Sequence, residues 1–222
     1  MAVRASPRRA TRSASQRYYP LFVKLDGRRA LVVGGGQVAA RKVEGLRGRG
    51  AQVHVVAPEL CAELREQAEQ ATISVTLREF REPDLEGAFL VIAATDDTAV
   101  NGRVFAEAER RGVLCNVVDV PELCSFIVPS VMSRGDLTVA VSTGGLSPST
   151  AKLVRERLED SLGPEYDSYL ELMASLRPRV KRRYATPEER RQAWMRIHAS
   201  GALAALREGD NRRAREIVET CL

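Results

Sequence analysis

Along the chain, short solid apolar runs alternate with stretches whose apolar positions recur every three or four residues. Residues 29–33 (RALVV) form such a run, with the length of a buried strand. Directly after it come three glycines and a stretch with Val38, Val43 and Leu46 at helical spacing, so a helix opens at the glycines and ends by Gly50. Residues 52–56 predict a second strand, and a second helix is expected from Pro58 to about Gln70. Strands at 73–77, 88–94 (the most apolar) and 114–118, with a helix over 99–111, continue the alternation. Strand and helix in turn predict a mostly parallel sheet covered on both faces, an α/β Rossmann-type doubly wound fold. Ahead of it, residues 18–23 (YYPLFV) are a short apolar segment leading to a turn at Asp26-Gly27.

From Ser125 the texture changes. Residues 126–131 and 137–142 read as two strands joined by the turn Ser133-Arg134-Gly135-Asp136, a small β-hairpin. Beyond Gly144-Gly145-Leu146-Ser147-Pro148, Leu153, Val154, Leu158 and Leu162 mark a helical stripe over 149–161. Further helices are expected over 165–176, 187–200 and 210–220, broken at Gly163-Pro164 and Thr186-Pro187.

With 222 residues and 44% hydrophobic side chains the chain can bury a real core. No apolar run approaches the roughly 20 residues a membrane span needs. The four cysteines form no CxxC pair, which points to thiols in a reducing compartment, the cytoplasm. The net charge of +5 comes from the first seventeen residues, which hold five arginines and no acid. Their composition reads as a disordered basic extension; an organelle transit peptide is the sharper alternative, but no apolar helical face runs through them. Residues 18–176 carry 17 basic and 23 acidic side chains, and residues 177–222 carry 12 and 6. A basic C-terminal segment attracts nucleic acid, anionic lipid or a polyanionic small molecule, and charge alone does not choose among them.

Gly34-x-Gly36-x-x-Ala39 lies between a strand and a helix, the setting in which this pattern binds a dinucleotide. Gly34 allows the tight turn, Gly36 lets the main chain approach a pyrophosphate, and Ala39 keeps helix and sheet close; the helix start supplies free N–H groups. An acid for the ribose should follow the second strand, where the chain reads Val56-Ala57-Pro58-Glu59. Glu59 is slightly late, and the absence of an arginine there argues for NAD over NADP. Thr95 follows the most apolar strand at the same sheet edge; Asp96-Asp97 behind it reads as a helix cap. Asp119, after the strand 114–118, is placed as a general base whose burial raises its pKa, the alternative being a turn cap before Pro121. Ser142 and Thr143 stand in a loop that either holds a carboxylate or only caps a helix. His54, His198, Trp194 and the cysteines read as structural, and no metal site is expected.

Taken together, the stretches YYPLFVKLDGRRALVVGGGQVAARK, LVIAATDD, VNGRVFAEAERRGVLCNVVDVP, SFIVPSVMSRGDLTVAVSTGGLSP and RVKRRYATPEERRQAW resemble the precorrin-2 dehydrogenase/sirohydrochlorin ferrochelatase family, also found as the N-terminal module of siroheme synthase. The resemblance covers nearly everything from residue 18 onward. It implies an NAD-binding Rossmann domain over 18–124, a dimerisation region over 125–150 and a helical domain over 151–222. It implies NAD as oxidant, precorrin-2 as substrate, sirohydrochlorin as product and, in members with both activities, Fe²⁺ as co-substrate. A homodimer is expected, with neither nucleic acid nor membrane as partner. The methyltransferase module of the fused enzymes is expected to be absent. The family's cofactor contacts match Gln37, Val38, Pro58 and Glu59, and its essential aspartate matches Asp119. The substrate's eight carboxylates suit Arg177, Arg179, Lys181, Arg182 and Arg183. Thr143 stands where some members carry serine. The rival reading is a nucleotide-sensing regulator that binds DNA through the basic helices.

Overall fold

A solid apolar run hides all of its side chains only as a strand covered on both faces. The computed structural model, which describes residues 18–222, makes five runs into strands: β1 (Arg29–Val33), β2 (Gln52–Ala57), β3 (Ser74–Leu77), β4 (Leu90–Ala93) and β5 (Leu114–Val117). They form one parallel sheet in the order β3-β2-β1-β4-β5. Helices α1 (Gln37–Arg47) and α2 (Ala62–Glu69) cover one face, where Ala39, Val43, Leu46 and Leu64 pack with Val32, Val53, Val55 and Ile92. Helix α3 (Thr98–Arg111) and the segment around Phe80 and Leu85 cover the other, burying Val104 and Ala108 with Leu31, Val33 and Val91. The ends of α3 follow from its sequence. Asp97 caps its start by accepting from the amides of Ala99 and Val100, and Gly112 ends it in the left-handed region at φ 66°.

The second helix begins at Ala62, not at Pro58, and Pro58-Glu59-Leu60 make a bend ahead of it. After β5 the chain turns through a 3-10 helix (Pro121–Leu123) and runs back beside the strand, where Cys124 bridges Asn116 and Ser125 bonds the Cys115 carbonyl. Phe126 therefore belongs to the first core and not to the next strand.

The chain divides into two compact units between Val128 and Pro129. The hairpin, for which a region of its own over 125–150 was expected, falls within the second unit together with the helices. Its strands are β6 (Ser130–Arg134) and β7 (Leu137–Val141), joined at Gly135-Asp136 with Gly135 at φ 54°, as a tight primed turn requires. Helix α4 (Pro148–Ser161) follows. Then α5 (Glu165–Arg183), α6 (Pro187–His198), α7 (Ala202–Arg207) and α8 (Asn211–Cys221) share a core of Tyr169, Met173, Leu176, Val180, Ile197, Leu206 and Val218. Ala193, Ala202, Ala205 and Ala214 in that core let the helices approach closely. The Arg207 guanidinium meets the buried Glu165 carboxylate at 2.7 Å. Among the described residues no helix is long and apolar enough to cross a membrane. The reading of residues 1–17 as a disordered basic extension lies outside the described residues.

Helix α5 corrects the expected end at Leu176: it runs on through Pro178 to Arg183. A proline there removes one helical hydrogen bond and crowds the preceding turn. Leu176 and Val180, both buried, hold the helix together on either side of it. Pro178 is exposed, so Pro178→Ala restores the missing donor without disturbing the core. It is expected to stabilise the protein by ~1–3 kcal/mol, read as a higher midpoint in urea or thermal unfolding.

Candidate functional site

Because all five strands run the same way, the loops after them gather at one edge of the sheet. There β1 has β2 on one side and β4 on the other, so the connections leave in opposite directions and open a crevice at the switch point. Gly34–Gly36, Pro58, Glu59, Thr95 and Asp119 all follow strands at this edge. Main-chain bonds knit the loops together: the Gly34 amide donates to the Val56 carbonyl (2.9 Å), Ala94 to Val33 (2.8 Å), Val118 to Ala93 (2.9 Å) and Cys61 to Gly35 (2.7 Å).

The three glycines have different jobs. Gly34, at φ 127°, lies against the Ala94 carbonyl, and a methyl group there would fall on it. A methyl at Gly35 would fall on the Glu59 carbonyl. At Gly36 it would meet nothing within 4 Å. Gly36 is also the residue before α1, and the first amides of that helix have no helical acceptor ahead of them. Ala39 behind them is fully buried. An open glycine beside free N–H groups and the positive end of a helix fits a pyrophosphate.

The other predicted side chains differ in how free they are. Gln37 begins α1 and donates to the Glu63 carboxylate at 2.7 Å, a partner on α2 that sequence reading did not single out. That bond, after Glu63's own backbone amide, draws the Glu63 pKa down. Val38 is half-buried, and Pro58 and Glu59 are exposed. The Thr95 hydroxyl is taken up within its own loop, against the Asp97 carbonyl and the Asn101 side chain, both at 3.1 Å. Asp97 is the helix cap it was read to be.

Asp119 corrects one expectation. Its position after β5 stands, but it is exposed, so the burial expected of it is not there. Instead its main chain is unusual, with φ 61°; only Ala71 shares a positive φ among the described non-glycine residues. The turn is closed by the Val120 amide, which bonds the Val117 carbonyl at 3.3 Å.

In the second unit, the loop before α4 uses its hydroxyls internally. Ser142 accepts from the Gly144 amide at 3.0 Å, and Thr143 both accepts from the Ser147 amide (3.0 Å) and donates to its carbonyl (3.1 Å). Ser147 caps α4. Thr143 is thus bonded within the loop on both counts, whereas Ser142, which is exposed, only accepts there. Of the five basic residues on α5, Arg179 is held by Glu219 of α8 in a two-point ion pair, so it is not a free anion ligand. Arg177, Lys181, Arg182 and Arg183 form no ion pair among the described residues. Arg177 and Lys181, both exposed, lie one turn apart on α5.

The histidines and Trp194 are engaged within the protein. His54 sits between the hydroxyls of Ser74 (2.7 Å) and Thr76 (3.0 Å) on β3, and burial, with Arg29 nearby, pushes its pKa down. His198 bonds the Tyr169 hydroxyl at 2.8 Å and stacks on Trp194. Burial pushes the Cys115 thiol up to about 12. Among the described residues all four cysteines are free thiols.

Residues 21–130 match a family described as putative NAD(P)-binding, residues 134–161 the central region of sirohaem biosynthesis proteins, and residues 165–222 the sirohaem synthase dimerisation region. The region named for dimerisation thus lies C-terminal to the hairpin for which that role was expected. A siroheme synthase of Photorhabdus laumondii is 45% identical over 177 residues, covering 80% of this chain and 38% of its own length. One of Nitrosococcus oceani is 40% identical over 205 residues, covering 92% and 44%. The chain spans less than half the length of these curated relatives. Among solved structures, SirC, precorrin-2 dehydrogenase, superposes with a TM-score of 0.74 at 28% identity, over 91% of this chain and 100% of that one.

The glycine geometry separates packing from binding. Gly35→Ala should lose at least the ~1–3 kcal/mol of an overpacked core. Gly36→Ala should stay within about 0.5 kcal/mol of the parent. Thermal unfolding of the two variants side by side checks both values.

Proposed function

Since the chain belongs to the precorrin-2 dehydrogenase/sirohydrochlorin ferrochelatase family, we propose that it oxidises precorrin-2 to sirohydrochlorin with NAD held at the carboxyl edge of the parallel sheet. The observation that carries the cofactor is the contrast among the glycines: Gly34 and Gly35 are closed by protein, and Gly36 is open at the start of α1. Gly36 and the first amides of α1 hold the pyrophosphate, and Pro58 and Glu59 flank the adenosine ribose. The preference is for NAD because the β2–α2 bend offers Glu59 and no arginine to a 2′-phosphate.

When bound, NAD accepts a hydride. The substrate loses that hydride and one proton, so oxidation to sirohydrochlorin yields NADH and H⁺. Asp119 takes the proton on its carboxylate and, being exposed, returns it to water. Held at φ 61° by the Val117–Val120 turn, its backbone fixes where the side chain leaves the sheet edge. The eight carboxylates of the substrate are attracted by the basic part of α5, where Arg177, Lys181, Arg182 and Arg183 supply positive charge that no described carboxylate pairs with. In a second reaction of the same family, Fe²⁺ enters sirohydrochlorin as a substrate and two pyrrolic protons leave; Asp119 is the acceptor proposed for these too. The tetrapyrrole brings its own four nitrogens, so the protein's part is to hold the ring and take the protons. The chain acts as a homodimer in the cytoplasm.

Following NADH absorbance with precorrin-2 tests the reading. Asp119→Asn keeps the size of the side chain and tolerates the left-handed backbone, so the turn survives. Dehydrogenation should fall by roughly 10²- to 10⁴-fold with NAD still bound, as expected for a lost general base. Alanine is the poorer probe, since its side chain is strained at positive φ. Gly36→Val should abolish NAD binding, measured by titration, with unfolding unchanged. Near-normal turnover of Asp119→Asn would make the carboxylate a structural group. Iron insertion into sirohydrochlorin by the same variant decides whether one carboxylate serves both reactions.

A further inference from the structure

The turn that carries Asp119 is gripped from one side by a pair of side chains that the mechanism leaves unused. The Cys124 thiol lies 3.2 Å from the Val117 carbonyl and 3.2 Å from the Val120 carbonyl, the two ends of the turn. A thiol has one hydrogen to give, so it is shared between these acceptors. Behind it, the Asn116 amide donates to the Cys124 sulfur at 3.4 Å and to the Phe126 carbonyl at 3.0 Å. Asn116 is itself buried on β5, and it pairs with Cys124 through an antiparallel main-chain bridge. Burial pushes the Cys124 thiol up, so its hydrogen is in place at neutral pH.

The turn needs such a grip. Asp119 occupies its third position with φ 61°, a place that ordinarily takes glycine or asparagine. The single bond closing the turn is long, at 3.3 Å. An exposed aspartate on a turn closed so weakly is free to relax to negative φ, which would swing its carboxylate away from its present direction.

We propose that Cys124, oriented by Asn116, is a positioning residue for Asp119: its thiol ties both ends of the Val117–Val120 turn and so aims the carboxylate. The proposal rests on the reading of Asp119 as the proton acceptor. Cys124 touches neither reacting atoms nor cofactor in this role, so its removal acts on the rate of the step and not on binding.

The experiment is a double-mutant cycle in the full chain, measured as NADH formation from precorrin-2. Cys124→Ala should lower kcat by about 10- to 100-fold, the cost of a misaimed catalytic group, with KM for precorrin-2 and NAD affinity within twofold of the parent. Cys124→Ser keeps an O–H donor and should recover most of the lost rate. In an Asp119→Asn background Cys124→Ala should change the residual rate by less than twofold, because the group it aims is gone. A loss of kcat that persists undiminished in that background, or a serine variant no better than alanine, overturns the proposal, since the thiol then acts through general packing. So does a Cys124→Ala enzyme with parental kcat while Asp119→Asn is inactive, which leaves the role of Asp119 standing. Full turnover by Asp119→Asn overturns both. If Cys124→Ala does not fold, Cys124→Val, which fills the space and removes the donor, carries the same test across the two backgrounds: a rate lowered equally in both, or in neither, rejects positioning, and a rate lowered only with Asp119 present supports it.

Discussion

The main chain at Gly34 and Gly35 lies against the ends of β4 and β2 with no room for a methyl group, and the rest of the candidate site depends on that closeness. It brings the glycine loop into register with the Ala94-Thr95 loop on one side and the Pro58-Glu59 bend on the other. It also sets where α1 begins, and so where its free amides point. A parallel sheet would gather these loops at one edge in any case; the packed glycines turn that gathering into a defined crevice.

How much of this was legible in the sequence depended on whether the deciding contacts were local. β1 and α3 were read to within a residue because a solid apolar run, an Asp cap and a terminal glycine each act on their own neighbours. The start of α2 was misread because Pro58 favours a first helical turn, whereas the bend at Pro58-Glu59 lets the Glu59 carbonyl meet Gly35 more than twenty residues earlier. The end of α5 was misread for a similar reason: Pro178 is a local stop signal, and the packing that overrides it comes from α6, α7 and α8. Helix α7, six residues between Gly201 and Glu208, was missed because it is too short to show a period.

The site residues divide along the same line. The glycine pattern and the place of Asp119 after β5 are matters of order along the chain and were readable. The hydration of Asp119, the engagement of Arg179 by Glu219 and the internal bonding of Thr143 are settled by atoms that sequence patterns do not bring together. The same holds for Cys124, which reads as a core thiol and whose hydrogen is shared by two carbonyls. Five basic residues close in sequence looked like one anion surface; wound around a helix, they point in different directions, and one is taken by a neighbouring carboxylate.

The openness at Gly36 bears on how such a chain changes over generations. Its neighbours on the N-terminal side cannot be replaced without cost to the scaffold, but position 36 can acquire a side chain while the sheet, its core and its loops stay as they are. The fold and the proposed cofactor site therefore make separate demands on adjacent positions. A copy that acquired a side chain there would close the proposed pyrophosphate cradle first and persist as a well-folded shell, available for whatever else its remaining surfaces recognise.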